Sequence, residues 1–123
     1  MLKAILLVGV GGFFGSIARY GVKLLTDKWF PLEKLPHATF IVNVFGCFII
    51  GLLFGLLQRN HIDNSTWLIA ATGFCGAFTT FSTFVLENNL MLNDKMSLTA
   101  FVYALLSIVV GLILCRVGIW IAG

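Results

Sequence analysis

Four long stretches almost free of charged residues most constrain what this chain can fold into. They run from about Leu2 to Leu25, Ala38 to Leu57, Trp67 to Leu92 and Leu98 to Ala122. About 20 mostly apolar residues are needed for a helix to cross the hydrocarbon core of a bilayer. The stretches do not alternate apolar with polar residues, as the strands of a membrane barrel do. The sequence therefore predicts an all-α membrane protein, with four transmembrane helices in a single domain over residues 1–123.

Composition agrees with a membrane protein and excludes several functions. Only 11% of the residues are charged, against about 25% in ordinary globular domains. The basic residues are scattered, so no patch is suited to bind nucleic acid. Cys47, Cys75 and Cys115 are far apart in the sequence and have no nearby histidine, which disfavours a disulfide framework or a zinc site. Because no nucleophile–base pair is visible either, we do not expect an enzyme.

The connecting segments give little preference for one orientation in the membrane. The side shared by both termini and residues 58–66 carries three basic residues: Lys3, Arg59 and Arg116. The opposite side carries four, with a fifth near the membrane edge: Lys23, Lys28, Lys34, Lys95 and Arg19. Orientation follows the Lys/Arg excess in short loops, and here the excess is almost nil. We therefore expect both orientations, which would form a homodimer with a two-fold axis in the membrane plane.

Small residues spaced four apart predict close packing of the helices. Three such pairs occur in the first and second stretches: Gly11-x-x-x-Gly15, Gly12-x-x-x-Ser16 and Gly51-x-x-x-Gly55. In a bilayer, small side chains let helix backbones approach closely where no hydrophobic effect drives association. The pattern leaves open whether the packing is within or between subunits.

Uncharged polar side chains stand inside the predicted helices, where they are candidate functional residues. Thr39 and Asn43 are one turn apart in the second helix, and Tyr103 and Ser107 are one turn apart in the fourth. A lone hydroxyl can bond a backbone carbonyl one turn back. The amide of Asn43 is harder to satisfy, because its NH₂ group also needs an acceptor.

The segment GAFTTFSTF, Gly76 to Phe84, concentrates hydroxyls and phenylalanines. At about 100° per residue, a continuous helix would place hydroxyls on one side and rings on the other: Thr79, Ser82 and Thr83 against Phe78, Phe81 and Phe84. Gly73, Gly76 and two adjacent threonines weaken helix propensity. We expect a broken helix here, which membranes tolerate where freed carbonyls meet protein or an ion.

These groups suit a small anion better than a cation. No stretch holds a carboxylate, lysine or histidine at its centre, and Glu87 stands near the end of the third. Hydroxyls and amides donate hydrogen bonds, and aromatic rings carry a positive edge. Arg19, near one mouth, would attract an anion through its field. For the phenylalanines taken alone, packing against lipid or core is an equal alternative.

Three segments resemble the signatures of the Fluc/CrcB family of fluoride ion channels: GGFFGSIARY (Gly11–Tyr20), TFIVNVFGCFIIG (Thr39–Gly51) and GFCGAFTTFSTFVLE (Gly73–Glu87). They occur in the family's order and spacing. The resemblance implies an antiparallel, dual-topology homodimer with two pores and a break in the third helix of each subunit. It also implies passive fluoride export across the bacterial inner (cytoplasmic) membrane, which relieves fluoride toxicity.

The same resemblance implies roles for single residues in a fluoride pore. Phe81 and Phe84 would line the path with their ring edges, and Asn43 would be the pore amide. A track of hydroxyls would continue the path: Ser82, Thr83, Thr39, Tyr103 and Ser107. Gly111, one turn past Ser107, has no hydroxyl, so the track is expected to be shorter there than in some relatives.

Further residues are implied at the ends of the pore and at the centre of the dimer. Arg19 would lie at a vestibule, and Glu87 near a pore end. A structural sodium ion, the expected cofactor, would bind at the dimer interface. Its ligands would be the backbone carbonyls of Gly76 and Thr79.

Two other functions remain as alternatives. A small dual-topology multidrug exporter also has four short helices, but it needs a carboxylate inside its first span, and residues from Ala4 to Ala18 include none. A non-transporting membrane assembly subunit would use the polar residues only to join helices, and it would conduct no ions.

Overall fold

The computed structural model describes residues 1–31 and 34–123. These residues form five helical segments: α1 (Leu2–Trp29), α2 (His37–Gln58), α3 (residues 64–78), α4 (Phe81–Asn93) and α5 (Ser97–Ala122). No strand occurs within the two described ranges. The prediction of an all-α protein is therefore confirmed for this part of the chain.

Four helical spans are long and apolar enough to cross a membrane: α1, α2, α3 together with α4 (Asn64–Asn93), and α5. They contain 28, 22, 30 and 26 residues, respectively. At 1.5 Å per residue, α1 is about 42 Å long, which exceeds the roughly 30 Å of a hydrocarbon core. Apart from Lys3 in its first turn, its charged residues lie in its C-terminal part, from Arg19 onward. The last turns of α1 therefore lie at or beyond the membrane surface.

The α3 segment is irregular along its length. It begins as an α-helix (Asn64–Trp67), continues as a π-helix (Leu68–Cys75) and ends as a short α-helix (Gly76–Phe78). Asp63 caps its first turn, since its Oδ1 accepts from Thr66 Oγ1 (2.6 Å) and from the Thr66 N–H (2.9 Å). These two hydrogen bonds lower the pKa of the Asp63 carboxyl, because they stabilise its charged form.

Glycines on α1 bring its backbone against the π-helical part of α3. A Cβ at Gly11 would overlap the carbonyl of Ile69, and a Cβ at Gly15 would overlap the backbone of Phe74. From the other helix, Gly73 lies equally close to the α1 backbone. The Gly11 and Gly15 pair thus packs two helices of the same chain, as small residues do in bilayers. Gly12 has ordinary van der Waals spacing to α3.

A second pair of helices, α2 and α5, packs in the same way. A Cβ at Gly51 would overlap the backbone of Cys115, and one at Gly55 would meet the side chain of Ala122. On α5, Gly118 lies against the carbonyl of Phe48. The two tightly packed pairs, α1 with α3 and α2 with α5, form a frame on which the residues around Thr79 and Thr80 are held.

Candidate functional site

Two residues without helical geometry, Thr79 and Thr80, separate α3 from α4. Their backbone angles (φ, ψ) are −85°, 161° and −151°, 122°, which are extended values. Phe78 ends α3 and Phe81 begins α4. We call these two residues the extended pair. Their backbone N–H and C=O groups need partners other than those of a continuous helix.

Asn43 on α2 holds Thr80 by two hydrogen bonds. Its Nδ2 donates to the carbonyl of Thr80 (2.9 Å), and the Thr80 N–H donates to its Oδ1 (2.8 Å). Thr80 is 9% exposed, so these bonds replace hydration that the backbone has lost. The NH₂ group of Asn43 has two hydrogens, and the bond to Thr80 uses one. The other is available to a further acceptor.

Thr79 is held from two sides. Its N–H and its Oγ1 both donate to the Cys75 carbonyl (3.0 and 2.9 Å). Its own carbonyl accepts a long hydrogen bond from Arg19 Nη1 (3.4 Å). Together with the bonds from Asn43, every backbone polar group of the extended pair has a partner within the chain.

Thr80 also caps α4. Its Oγ1 accepts from the Thr83 N–H (3.3 Å) and donates to Thr83 Oγ1 (3.1 Å). A threonine directly before a helix is a frequent N-cap residue. The α4 helix therefore restarts at a defined residue, with its first turn tied to the extended pair.

The carbonyl of Gly76 is released from the helical pattern. Its partner in a continuous α-helix would be the N–H four residues on, which belongs to Thr80. That N–H donates to Asn43 instead. Gly76 is exposed, and a Cβ built on it would meet nothing within 4 Å. The Gly76 backbone therefore borders open space beside the extended pair.

A cavity of about 620 Å³ lies beside this region, between residues of α2, α3, α4 and α5. Five of its lining residues carry side-chain donors: Asn43, Thr72, Thr79, Thr80 and Ser107. Phe81 and Phe84 add aromatic rings. Among the described residues that line the cavity, none is charged. The Ser107 hydroxyl is buried and has no hydrogen-bond partner in the described part of the chain.

The cavity collects half of the residues that the sequence predicts for the site. Six line it: Asn43, Phe81, Phe84, Ser107, Gly76 and Thr79. They come from α2, from α5, and from the segment in which α3, the extended pair and α4 follow one another. Their roles in binding an ion are predictions, which the positions alone do not test.

The remaining predicted residues lie elsewhere in the same chain. The carboxyl of Glu87 lies beside the hydroxyls of Thr39 and Tyr103, and the Tyr103 ring contacts that of Phe84 at a centroid distance of 5.2 Å. Thr39 and Thr83 line crevices between α1 and α2, and Arg19 lines one of these. Ser82 is exposed. A single chain therefore does not bring all of the predicted hydroxyls into one path.

The prediction that Phe78 lies on the same side of a helix as Phe81 and Phe84 is wrong. The Phe78 side chain is only 5% exposed, and it stacks on Phe74 at a centroid distance of 5.5 Å. Phe81 is 76% exposed and lies 6.0 Å from Phe84. The prediction assumed one continuous helix, but the extended pair changes the rotation of the chain between Phe78 and Phe81. The rings on either side therefore face different surroundings.

Sequence reasoning missed two residues of this site, Thr80 and Thr72. An N-cap signal was available for Thr80, because a threonine stood just before a plausible helix start. Its attachment to Asn43 had no such signal, since the two residues are 37 positions apart. Thr72 lies in the π-helix, whose wider turn is not visible in a hydrophobic pattern.

Comparison with known proteins decides the family. The sequence model of the family described as "CrcB-like protein, Camphor Resistance (CrcB)" matches residues 6–119. The chain belongs to the CrcB-like protein family. The match runs through all four spans, so the resemblance carried by three short segments is confirmed.

Several fluoride-specific ion channels are similar to this chain over nearly their whole length. The fluoride-specific ion channel FluC of Azobacteroides pseudotrichonymphae genomovar. CFP2 is 44% identical over 112 residues, covering 90% of this chain and 89% of the relative. The FluC of Chlorobium phaeobacteroides is 42% identical over 122 residues, covering 98% and 93%. The FluC of Chlorobium chlorochromatii is 44% identical, covering 97% and 95%.

Proposed function

We propose that this chain is a fluoride-selective ion channel that carries fluoride passively out of the cell and so relieves fluoride toxicity. The observation that carries the proposal is the cavity of about 620 Å³, which combines five hydroxyl- or amide-bearing side chains, two phenylalanine rings and no charged residue among its described lining. The three relatives above bear the name of a fluoride-specific ion channel. The protein is thus a transporter and not an enzyme.

The groups that line the cavity suit an ion that must lose hydration water when it binds and must then dissociate again. Fluoride is small and strongly hydrated, so donors must replace the hydrogen bonds it loses. Within the described residues, the Ser107 hydroxyl has no hydrogen-bond partner, and one N–H of Asn43 is not used in its bonds to Thr80. The ring edges of Phe81 and Phe84 attract an anion weakly. Neutral donors and weak ring contacts avoid a binding site too deep for conduction.

The assembly we propose is an antiparallel, dual-topology homodimer with two pores. Phe81, a pore candidate, is 76% exposed in the single chain, so a second copy is needed to enclose it. The same copy would complete the hydroxyl track, whose members one chain leaves apart: Ser82, Thr83, Thr39, Tyr103 and Ser107. We place Arg19 at a vestibule and Glu87 near a pore end, and we assign the helix break to the extended pair.

Sodium is the cofactor we propose for the dimer centre, held by the carbonyls of Gly76 and Thr79. The Gly76 carbonyl suits this role because its helical partner bonds Asn43 and its surroundings are open. The Thr79 carbonyl accepts from Arg19, but an oxygen with two lone pairs can take a second partner. Two carbonyl oxygens do not complete the coordination shell of a sodium ion, so each chain of the dimer would supply half of the protein ligands. Bound there, sodium would join the two chains electrostatically.

The membrane we propose is the bacterial inner membrane, which the chain crosses several times. The competing exporter function needs a carboxylate within the first span. The uncharged stretch from Ala4 to Ala18 lies wholly inside α1, so such a carboxylate is missing from that stretch. The exporter is therefore not favoured.

Anion efflux from liposomes tests the function directly. Purified protein is reconstituted with potassium fluoride or potassium chloride inside, and valinomycin is added so that potassium balances the charge. We expect fluoride to leave rapidly while chloride stays. Equal leakage of both anions, or retention of both, would rule out a fluoride channel. Protein-free liposomes serve as the control for membrane integrity.

A further inference from the structure

Two neighbouring crevices lie along the contact of α1 with α2, and they share part of their lining. The inner crevice has a volume of about 260 Å³ and the outer one about 160 Å³. Four residues line both of them: Lys23, Ala38, Thr39 and Thr83. The inner crevice also reaches Thr80, which borders the central cavity. The two crevices are therefore neighbours, and together they extend along α1 and α2 as far as the extended pair.

The charges along these crevices are unevenly distributed. Among its described lining residues, the outer crevice has four titratable ones of mixed sign: Lys23, Asp27, His37 and Glu87. The inner crevice has two cations, Arg19 and Lys23, and no carboxylate among its described lining residues. An anion that moves inward thus passes from a nearly balanced region into a positive one, where field focusing in a cleft raises its local concentration.

Lys23 lines both crevices, and the carboxylate of Asp27 partly neutralises its positive charge. Its Nζ binds Asp27 Oδ2 at 2.8 Å, one helical turn away. Both side chains remain more than half exposed, so the pair contributes little to stability. Since α1 is longer than the hydrocarbon core is thick, this pair lies near the membrane surface. It is therefore placed to act on ions in solution.

We propose that the α1–α2 crevices are an entry route for the anion and that Lys23, restrained by Asp27, sets how fast fluoride enters. The inference rests on the proposed channel function and adds two residues to it. Lys23 attracts the anion to the crevices, and Asp27 partly cancels that attraction. Both act through charge, so their effects are opposite in sign and sensitive to salt.

Initial fluoride efflux from liposomes tests this entry route, with fluoride kept low so that entry limits the rate. In a low-salt buffer we expect Lys23→Gln to slow efflux about two- to fivefold and Asp27→Asn to accelerate it by a similar factor. An inert potassium salt of an impermeant anion is then added. Because the Debye length falls from about 30 Å at 0.01 M to about 3 Å at 1 M, both effects should shrink towards the wild-type rate.

Lys28→Gln is the matched control. Lys28 carries the same charge on the last turn of α1, but it lines neither crevice among the described residues. Its removal should leave efflux near the wild-type rate. An equal effect of Lys23→Gln and Lys28→Gln, or no effect of Lys23→Gln at low salt, would overturn the entry route. If wild-type protein moved no fluoride at all, the channel function itself would fail instead.

Discussion

Asn43 shows how much one side chain can decide in a membrane protein. Its amide bonds both the N–H and the carbonyl of Thr80, and so substitutes for the helical partners that an extended residue lacks. Without it, two buried backbone groups would have no partner, which is costly in a medium without water. Asn43 therefore positions the extended pair, whatever it also contributes to an ion path.

Replacement of Asn43 by aspartate should test the contribution of the amide donor at nearly constant side-chain volume. Asn43→Asp keeps an acceptor for the Thr80 N–H but sets a carboxylate oxygen against the Thr80 carbonyl. We expect a loss of about 1–3 kcal/mol in the free energy of unfolding and a marked fall in fluoride efflux. Thermal unfolding in detergent and liposome efflux measure the two effects.

Asn89→Asp is the control for this change. The Asn89 amide also donates to a carbonyl, that of Val85, but on an exposed helix surface. It should unfold at nearly the wild-type temperature. If both substitutions lowered the unfolding temperature by the same small amount, the bonds from Asn43 to Thr80 would stabilise the protein no more than an exposed side-chain hydrogen bond does.

Phe81 and Phe84 should prove more than packing residues. Phe81→Ile and Phe84→Ile keep an apolar side chain but remove the positive ring edge. We expect each to lower fluoride efflux about fivefold, which corresponds to the loss of about 1 kcal/mol of aromatic attraction. Efflux from liposomes gives the rate, and size-exclusion chromatography in detergent checks that the assembly is retained.

Phe101 on α5 provides the comparison. It is 65% exposed and does not line the cavity. Phe101→Ile should therefore conduct fluoride like the wild type. If Phe81→Ile and Phe84→Ile also left efflux unchanged, the two phenylalanines would serve only in packing and not in ion conduction.

Helix pairs depend on glycine where two backbones meet. The α1 and α3 helices touch at Gly11 and Gly15, and this contact supports the π-helical segment that leads to the extended pair. The α1 helix extends beyond the predicted span, which ends near Leu25, and continues to Trp29. Charged residues interrupt apolarity without interrupting a helix, and the Lys23–Asp27 pair at i, i+4 supports the extra turn.

A methyl group at Gly11 should disrupt the contact of α1 with α3. Gly11→Ala would push its Cβ into the backbone of Ile69, and backbone atoms cannot rotate away as a side chain does. We expect a loss of about 1–3 kcal/mol in stability, read as a lower unfolding temperature in detergent.

Gly9→Ala tests the same substitution two positions earlier on the same helix. A Cβ at Gly9 meets nothing within 4 Å, so alanine should be neutral or stabilising by up to about 1 kcal/mol. Equal destabilisation by both variants would show that helix propensity, and not the close contact, determines the result.

The chain taken together exposes most of its large apolar side chains and buries few. Lipid accounts for part of this surface, and a second subunit would cover another part. The predicted four-span topology divides its Lys and Arg residues almost evenly between the two membrane sides. The weak charge bias, and the separation of the predicted pore residues within one chain, both agree with the proposed insertion of two copies in opposite directions.

Topology reporters fused to the C-terminus should find it on both sides of the membrane. One reporter that is active only in the cytoplasm and another that is active only outside it should both give signal. Detection on a single side would exclude dual topology. As a control, Arg59→Gln with Arg116→Gln leaves only Lys3 on its side, and the positive-inside rule then places the C-terminus outside the cytoplasm.

The helical class and the four spans could be predicted from the residues because they follow from local composition. A helix crosses a bilayer only if it is long and mostly apolar, so each stretch could be interpreted without knowledge of the others. The family could be predicted too, since each of its three signature segments is a continuous run of residues. The glycine contacts could be predicted as close packing, although the helices that meet there could not be named.

The partner of Asn43 and the surroundings of Phe78 depended on how distant segments pack. The bond from Asn43 to Thr80 exists because α2 passes the extended pair, and no local pattern encodes a contact between residues 37 positions apart. The extended pair then rotates α4 relative to α3, which buries Phe78 and leaves Phe81 exposed. Composition determines which residues enter the membrane, whereas the side that each polar group faces follows from helix packing, because buried backbone groups bond whichever partner the neighbouring helix presents.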